Sequence, residues 1–454
     1  MSTIAAISTS PGIGGIGIIR ISGDNTFSII NKIFKMKNPV SIDDIPGYTL
    51  KYGHIIEEEN VIDEVLVSFF KAPNSYTGED VCEINSHGGT VIMNRILEVC
   101  LSSGAVLAEP GEFTKRAFIN GRLDLSQAEA VIDIINSKTD KEAKVSEKQL
   151  SGDLSKTIKV IRGTLIDLLA DIEVGIDYPE YDVEEVSKEK TISILNGVEL
   201  SLNKLINSFF NGKILREGLN VSIIGKPNAG KSSLMNLILD EDRAIVTDVE
   251  GTTRDTIEEY IKIADIPIKL IDTAGIRKTN DVVEQIGVEK SIKIAEESDI
   301  IIAIFDSNKK LTNEDYKIID LIKDRKSIIV LNKIDLSTEI EIKKLEELGK
   351  TIVRISAING EGLDDLYNEI SKIYKLEEVA AGGELIVTNN RHKQHILSAK
   401  DALEHAKESI NNGMPEEIIS TDIRQILVEL GKITGEEVTD DVIKQIFSKF
   451  CLGK

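Results

Sequence analysis

The sequence predicts a chain of the α/β plus α class, in which an N-terminal α+β domain precedes a helical domain and a further α/β domain is inserted into the helical one. Three observations predict this arrangement. A strand pattern, a glycine-rich loop and a helix pattern follow one another between Val221 and Leu239. Residues 1–120 mix short β-branched runs with helix patterns. Amphipathic helix patterns dominate the chain on both sides of residues 218–375.

Length, charge and cysteine content narrow the class of protein. A chain of 454 residues exceeds one ordinary hydrophobic core, so its length predicts two or three domains. From the patterns along the chain we expect three, over residues 1–120, 121–217 with 376–454, and 218–375. The net charge of −22 opposes non-specific binding of nucleic acid, because an acidic body repels phosphate. Three cysteines without a C-x-x-C pair, and no apolar run near the roughly 18 residues of a membrane helix, predict a cytoplasmic protein that does not enter the membrane.

Residues 1–120 predict a mixed sheet with few helices. The predicted strands are Thr3–Ser8, Gly17–Ser22, Val65–Phe70 and Val81–Ile84, and the predicted helix is Val91–Leu101. Gly12–Gly17 matches the dinucleotide pattern G-x-G-x-x-G, but a strand pattern follows where that site requires a helix. We therefore predict a hairpin-like turn there.

The tripeptide His87-Gly88-Gly89 ends a strand pattern and precedes a helix pattern. Its glycines can supply the positive φ that a turn requires. A catalytic role for the histidine is the alternative, and the sequence leaves both open.

Residues 121–217 and 376–454 predict helices. Ser126 and Glu129 have the S-x-x-E spacing of a capping box ahead of an apolar-periodic run. A second apolar face follows the break at Tyr178-Pro179-Glu180 and comprises Ile194, Leu195, Val198, Leu202, Leu205, Ile206 and Phe209. The later helix patterns are Ile396–Ile410, Ile418–Leu430 and Val442–Phe450. We expect the helices before and after the inserted domain to pack together.

Two short segments near the C-terminus each allow two interpretations. Arg391-His392-Lys393 is a basic cluster, for which a solvated helix start is favoured over a tRNA site. Cys451 has no activating partner in the sequence. A small buried side chain beside Phe450 is therefore favoured over a nucleophile.

The segment GKPNAGKSS at Gly225–Ser233 carries the strongest chemical signal. In G-x-x-x-x-G-K-S, backbone N–H groups close around phosphate oxygens and the following helix directs its positive end at them. Lys231 is then expected to reach the outer phosphates, and Ser232 to bind magnesium. A plain strand-to-helix turn is the alternative for this segment taken alone.

Four later segments, in order, favour a GTPase. Thr252 and Thr253 lie in a loop of the kind that completes a magnesium shell, and Asp272-Thr273-Ala274-Gly275 ends a strand pattern. In Asn332-Lys333-Ile334-Asp335, one carboxylate can accept two N–H groups of guanine, and Ser356-Ala357 can offer an amide to guanine O6. The residues expected at GTP are Asn228, Ala229, Gly230, Lys231, Ser232, Ser233, Thr247, Asp248, Val249, Glu250, Gly251, Thr252, Thr253, Asp272, Thr273, Ala274, Gly275, Asn332, Lys333, Asp335, Ser356 and Ala357.

The residue after Asp272–Gly275 is Ile276, whose apolar side chain cannot orient the attacking water. Another group must therefore orient the water or stabilise the transition state of hydrolysis. Asn228 lies in the phosphate loop, and Thr247–Thr253 is rich in threonine and glycine. An amide oxygen together with backbone carbonyls suits a weakly hydrated monovalent cation, which can stabilise charge between the β- and γ-phosphates.

Segments outside the nucleotide motifs carry a closer resemblance. They are PGEFTKRAF at 110–118, GRLDLSQAEA at 121–130, DYPEYD at 177–182 and the tail Phe450-Cys451-Leu452-Gly453-Lys454. With these segments in this order, the whole chain resembles the TrmE-Era-like family of GTPases, in its branch that modifies the wobble uridine of tRNA. The resemblance implies a folate-binding-like N-terminal domain and a Ras-like GTPase domain.

The resemblance also implies ligands and roles for individual residues. It places 5-formyl- or 5,10-methylene-tetrahydrofolate at Arg20, Glu83, Arg122 and Lys454. It places potassium at Asn228, Thr247, Val249 and Thr252, and magnesium at Ser232 and Thr253. The implied catalytic residues are Glu284, Lys231 and Thr253, with Glu284 orienting water indirectly.

The implied function is a potassium-stimulated GTPase that forms a homodimer. With a flavin-dependent GidA (MnmG) subunit in a hetero-oligomer, it would add an aminomethyl or carboxymethylaminomethyl group to carbon 5 of the tRNA wobble uridine. Two alternatives stay open: an Era-like switch in ribosome assembly, and a folate-dependent one-carbon transferase that GTP merely regulates.

Overall fold

The structure is a computed structural model that describes residues 1–10, 12–177, 188–240, 244–245, 259–271, 298–376, 387–451 and 453. It divides into two compact units. One comprises Met1–Ile135, Lys148–Ser201 and Gln394–Lys454, and the other comprises Asn136–Glu147 and Leu202–Lys393. The second unit is therefore formed by two segments that interrupt the sequence of the first, and the longer segment carries the predicted inserted domain. The predicted α/β plus α class is confirmed. The three domain ranges expected from the sequence stay predictions.

The first unit begins with a seven-stranded sheet in the order β3-β4-β5-β6-β2-β1-β7. The strands are β1 (Ile4–Ile7), β2 (Gly17–Ser22), β3 (Phe34–Met36), β4 (Thr49–Glu57), β5 (Asn60–Phe70), β6 (Val81–Ser86) and β7 (Val106–Leu107). Two helices, α1 (Thr26–Ile33) and α2 (Thr90–Ser102), bury apolar side chains such as Ile30 and Ile96 in the core of this sheet. Because alternate residues of β6 face this core, Cys82 and Ile84 are buried, whereas Glu83 lies on the other face.

The two glycine motifs of this domain have different outcomes. β1 and β2 pair antiparallel across the Gly12–Gly17 segment, so the predicted hairpin-like turn is confirmed. His87-Gly88-Gly89 does lie between β6 and α2, but neither glycine has a positive φ. The reason for Gly88 is instead close packing, because a Cβ there would overlap the backbone of Gly14. The turn interpretation of the glycines was thus wrong in its mechanism.

Five helices follow the sheet: α3 (Glu112–Ile119), α4 (Leu125–Asn136), α5 (Asp140–Leu150), α6 (Asp153–Asp177) and α7 (Lys188–Glu217). The predicted apolar face on α7 is confirmed, with Leu195 and Leu202 fully buried. The predicted capping box is wrong by two residues at each position. The Gln127 amide donates to Asp124 Oδ1 at 3.0 Å, and the Asp124 amide donates to Gln127 Oε1 at 3.0 Å. Ser126 lies inside the helix and contacts Ser155 instead.

The second unit is a doubly covered α/β sheet in the order β14-β13-β12-β8-β11-β10-β9. Its strands are β8 (Leu219–Ile224), β9 (Ala244–Ile245), β10 (Glu259–Ile263), β11 (Ile266–Ile271), β12 (Ile300–Asp306), β13 (Ser327–Asn332) and β14 (Thr351–Ile355), and its helices are α8 (Lys231–Asp240), α9 (Asn313–Ile322), α10 (Ile342–Glu346) and α11 (Leu363–Tyr374). β8, β11, β12, β13 and β14 are parallel. Parallel strands covered on both faces are apolar throughout, and all seven residues of β12 are buried.

The chain ends in α12 (Asn390–Asn411), α13 (Glu416–Thr434) and α14 (Asp440–Phe447). Within the first unit, α6 packs on α13: Arg162 donates to the Leu427 carbonyl at 2.7 Å and pairs with Glu436 at 2.7 Å. The expected packing of the helices that flank the insertion is confirmed. The basic cluster at the start of α12 is only partly solvated, because His392 is fully buried among its neighbours.

Candidate functional site

The phosphate loop lies between β8 and α8, at the carboxyl end of a central parallel strand. This is where ligands bind in open α/β sheets. Asn228 has a φ of 59° and Gly230 a φ of 102°, so the loop turns its backbone twice in the left-handed region. Ser232 and Ser233 are exposed in the first turn of α8. Amides at the start of this ten-residue helix can receive an anion.

Lys231 is held inside the loop that it is expected to serve. Its Nζ donates to the carbonyl of Gly225 at 2.8 Å and to the carbonyl of Lys226 at 3.0 Å. The ammonium group therefore lies across the mouth of the loop, among its own backbone carbonyls. The Lys231 ammonium group is therefore already positioned to bind a phosphate oxygen in the loop.

Asn332 joins the phosphate loop to the base-binding segments. Its Nδ2 donates to the carbonyl of Ala229 at 2.9 Å, while its Oδ1 accepts from the amide of Ala357 at 3.0 Å. The side chain is buried, so both hydrogen bonds are shielded from water. Three segments that are far apart in the sequence therefore meet at one amide group.

Asp335 and Ser356 meet at the same edge of the sheet. Ser356 Oγ donates to Asp335 Oδ1 at 2.6 Å, while the Asp335 side chain is exposed. Lys333 has a φ of 67° and its Nζ donates to the carbonyl of Asn228 at 3.0 Å. The structure thus brings the sequence-predicted residues of the phosphate loop, Asn332–Asp335 and Ser356-Ala357 into one site.

Two acidic residues that the sequence reading missed support this site. Asp306, at the end of β12, accepts from Lys333 Nζ at 2.6 Å. Burial raises the pKa of Asp306, but hydrogen bonds from Lys333 and the Asn308 amide outweigh burial, and the net pKa lies below its ordinary value. Asp315 accepts from Lys226 Nζ at 2.6 Å. An acid at the carboxyl end of an apolar strand was a readable signal for Asp306; Asp315 had none.

Many predicted site residues lie outside the described part of the chain. They are Thr247, Asp248, Val249, Glu250, Gly251, Thr252, Thr253, Asp272, Thr273, Ala274, Gly275, Ile276, Glu284 and Lys454, and the break at Tyr178-Pro179-Glu180 is also outside it. Of the expected potassium ligands, only Asn228 is described.

A second cluster forms on the N-terminal sheet, on the face away from α1 and α2. Arg20 and Glu83 are direct cross-strand partners, and Arg20 Nη2 lies 2.8 Å from Glu83 Oε1. The guanidinium groups of Arg20 and Arg122 both lie over the ring of Tyr76. In the sequence these were scattered charges, and the fold brings them together.

The C-terminal tail reaches this cluster. The carbonyl of Gly453 accepts from Arg20 Nη1 at 3.2 Å and from Ser8 Oγ at 3.1 Å. Gly453 has a φ of 86°, and a Cβ there would overlap the backbone of Ile7. Three of the four residues expected at folate are thus near one another, and the fourth, Lys454, follows directly after Gly453.

The three cysteines are free thiols. Burial raises the pKa of Cys82 well above its ordinary value and raises the pKa of Cys100 to about 12, so both stay protonated at neutral pH. Cys451 is exposed, whereas Phe450 beside it is buried. The interpretation of Cys451 as a small buried side chain was therefore wrong, because only its neighbour turns into the core.

Two family models match the chain over most of its length. The model described as "GTP-binding protein TrmE N-terminus" matches residues 3–122, and the model described as "MnmE helical domain" matches residues 125–451. Proteins named "tRNA modification GTPase MnmE" match throughout. One from Acetivibrio thermocellus is 50% identical, covering 100% of this chain and 99% of the relative. One from Clostridioides difficile is 47% identical, and the match covers 100% of this chain and 99% of the relative.

Solved structures also match part of the chain. Era bound to MgGDPNP and a 16S ribosomal RNA segment is 29% identical, covers 40% of this chain and 66% of that one, and has a TM-score of 0.28. The G domain of the Thermotoga maritima FeoB iron transporter is 26% identical, covers 35% and 98%, and has a TM-score of 0.27. No helix in the described ranges is long and apolar enough to cross a bilayer. Because full-length relatives and two family models match it, the chain belongs to the MnmE (TrmE) family of tRNA modification GTPases.

Proposed function

We propose that this GTPase is stimulated by potassium and acts with a flavin-dependent MnmG (GidA) subunit. Together they install an aminomethyl or carboxymethylaminomethyl group at carbon 5 of uridine 34 in tRNA, with a tetrahydrofolate as the one-carbon donor. The observation that carries the proposal is the meeting of Arg20, Glu83, Arg122 and the C-terminal tail on the N-terminal sheet. A GTPase that acts as a simple switch has no need of such a cluster.

The nucleotide site supports guanine recognition through residues of the chain itself. The exposed Asp335 carboxylate can accept the two N–H groups on one edge of guanine, and Ser356 fixes its orientation. Lys333 can lie along the base, since Asp306 and the Asn228 carbonyl hold its ammonium group. Lys231 and the α8 amides would then neutralise the phosphates.

Magnesium and potassium are proposed for the phosphate end of the site. Ser232 is exposed in the first turn of α8, where its hydroxyl can serve as a magnesium ligand, with Thr253 as its proposed partner. Asn228 is exposed, and its φ of 59° lies in the left-handed region. Its amide oxygen suits a monovalent cation, together with Thr247, Val249 and Thr252. When bound, these cations supply positive charge to the phosphates.

The N-terminal cluster supports an anionic ligand with a ring rich in N–H groups. Glu83 can accept a pair of N–H donors from such a ring, and its ion pair with Arg20 holds the carboxylate in place. Arg122 forms no ion pair within the described chain, so it can receive a ligand carboxylate. A reduced folate carries both kinds of group. We propose Lys454 as a further carboxylate partner, and a homodimer as the working assembly.

The cation proposal is tested by GTP hydrolysis of the full-length protein in potassium and in sodium at equal ionic strength. We expect strong stimulation by potassium that is lost in Asn228→Ala and kept in Asn236→Ala, a matched change on the exposed face of α8. Equal rates in both salts would reject the potassium site and leave the GTPase assignment intact.

The tRNA proposal is tested by analysing wobble nucleosides in tRNA from cells that lack this protein. We expect the carbon-5 modification of uridine 34 to disappear, and to return with the wild-type chain but not with Lys231→Ala. Unchanged modified uridines would reject it. Co-sedimentation with ribosomal subunits, without folate binding, would instead favour the ribosome-assembly alternative.

A further inference from the structure

The loop between β5 and β6, residues 71–80, has no regular secondary structure, yet buried polar contacts fix it on both sides. Thr77 is fully buried, with its Oγ1 2.7 Å from Ser22 Oγ, and its carbonyl accepts from Asn120 Nδ2 at 2.7 Å. Ser75 Oγ donates to the carbonyl of Glu79 at 2.6 Å, which closes the loop on itself.

A network of buried ion pairs centred on Arg116 also fixes this loop. Arg116 is 3% exposed, and its Nη1 donates to both carboxylate oxygens of Glu79, at 3.1 and 3.0 Å. Its Nη2 donates to Glu112 Oε1 at 2.8 Å. Burying charge is costly unless each group is paired, so such a network serves to fix geometry more than to add stability. The backbone of residues 71–80 is therefore held in one conformation.

The loop carries Tyr76. The Tyr76 hydroxyl lies 2.8 Å from Thr114 Oγ1, which is itself fully buried, so the ring is anchored at its far end. The guanidinium carbon of Arg20 lies 5.1 Å from the ring centroid, and that of Arg122 lies 5.0 Å from it. Arg122 Nη1 also donates to the carbonyl of Tyr76 at 3.0 Å. The two distances from guanidinium carbon to ring centroid fall within the roughly 6 Å range of cation–π attraction.

The charges around this ring do not balance. Glu83 pairs with Arg20, but no carboxylate in the described part of the chain pairs with Arg122. Two guanidinium groups repel each other, and the negative π-system of the Tyr76 ring, which both groups lie over, offsets part of that repulsion. In a chain of net charge −22, a locally positive site of this kind favours an anionic ligand.

We propose that Tyr76 is a positioning residue that sets the spacing of Arg20 and Arg122 for an anionic, folate-type ligand. The proposal rests on the proposed folate function of this cluster and adds a residue to it. Tyr76 acts through the two arginines, and its ring and its backbone carbonyl both take part.

The first experiment measures binding of 5-formyl-tetrahydrofolate to the full-length protein by calorimetry. We expect Tyr76→Leu to weaken binding about tenfold or more and Tyr76→Phe, which keeps the ring, to weaken it by less than about threefold. Arg122→Ala should also weaken binding, and the double variant with Tyr76→Leu should lose less than the product of the two single losses. GTP hydrolysis, which takes place at the separate nucleotide site, serves as the folding control for each variant.

Two results would overturn the proposal: equal losses in the Phe and Leu variants, or losses that multiply fully in the double variant. A second measurement needs no ligand. In protein labelled with ¹⁵N-arginine, ring currents should shift the Nε–H signals of Arg20 and Arg122. In Tyr76→Leu the shift of Arg122 should vanish and that of Arg20 should shrink, because the Phe113 ring, 5.6 Å from the Arg20 guanidinium carbon, remains. Both shifts should persist in Tyr76→Phe. If the wild type fails to bind the folate while the arginine signals behave as expected, the proposed function fails and the positioning role of Tyr76 stands. Unmoved arginine signals in Tyr76→Leu would reject that role itself.

Discussion

Asn332 Nδ2 donates to the carbonyl of Ala229 at 2.9 Å, so the base-binding segment and the phosphate loop share one buried hydrogen bond. The same amide group accepts from Ala357 through its oxygen. A change at any of these segments should therefore affect both ends of a bound nucleotide, and the first prediction depends on this coupling.

Gly230→Ala should abolish tight GTP binding. The residue has a φ of 102°, and an added Cβ would overlap Asn332 Nδ2. Backbone strain and the lost hydrogen bond together cost on the order of 2–4 kcal/mol, which is about 30- to 1,000-fold in affinity. Fluorescent GTP titration measures the loss. Gly163→Ala is the control, because this residue lies in α6 with open space around it, and it should leave GTP affinity unchanged. Equal affinity in both variants would contradict the bridging role of Asn332.

Asp335→Asn should exchange the preference for guanine for a preference for xanthine. The carboxylate offers only acceptors to the guanine N–H groups, whereas an amide offers one donor to the added carbonyl of xanthine. Losing a charge-assisted hydrogen bond costs about 1.5–3 kcal/mol, so GTP affinity should fall roughly 10- to 100-fold while XTP affinity rises. Competition binding with both nucleotides measures the exchange. Asp320→Asn, an exposed change on α9, should alter neither affinity. Retained GTP preference in Asp335→Asn would remove this residue from the base site.

Gly453→Ala should release the C-terminal tail from the N-terminal sheet. Its φ of 86° and the overlap of a Cβ with Ile7 leave no room for a side chain, and the Gly453 carbonyl would leave Arg20 and Ser8. The strain costs about 1–3 kcal/mol, so we expect the affinity for 5-formyl-tetrahydrofolate to fall about 5- to 150-fold, with GTP hydrolysis unchanged. Gly197→Ala, on the exposed side of α7, is the matched control. Unaltered folate binding in Gly453→Ala would show that the tail is not part of that site.

His87 should titrate above its ordinary range. Its Nδ1 lies 2.7 Å from Asp63 Oδ1, and this hydrogen bond, with the charge of Asp63, raises the pKa of His87 above 6.5. A raised pKa in the folded state adds stability below pH 6.5, and that stability is lost as the pH rises through the folded-state pKa. An NMR titration of the His87 ring should show a raised midpoint that returns towards 6.5 in Asp63→Asn. The exposed Asp24→Asn should leave the midpoint in place, and a shift there instead would assign the effect to general charge.

Local patterns predicted the elements well wherever one periodicity dominated. The strands β2 and β6, the helix α2 and the apolar face of α7 follow directly from alternation or from the 3.6-residue repeat. Capping was harder to read, because both Asp124 and Ser126 are good N-cap residues and each has a Gln or Glu three residues later. Packing of Ser126 against Ser155 decided between them.

The amino-acid sequence by itself determined the chemistry of the nucleotide site. The phosphate loop, Asn332–Asp335 and Ser356-Ala357 each have a fixed local geometry at the end of an apolar strand, and parallel strands bring such ends to one edge. Only the tertiary structure decided the N-terminal cluster. Arg20, Glu83, Tyr76, Arg122 and Gly453 come from separate strands, loops and the tail, and antiparallel pairing with the docking of a distant tail placed them together. No local pattern encodes such contacts, because their partners are up to 433 residues apart in the chain.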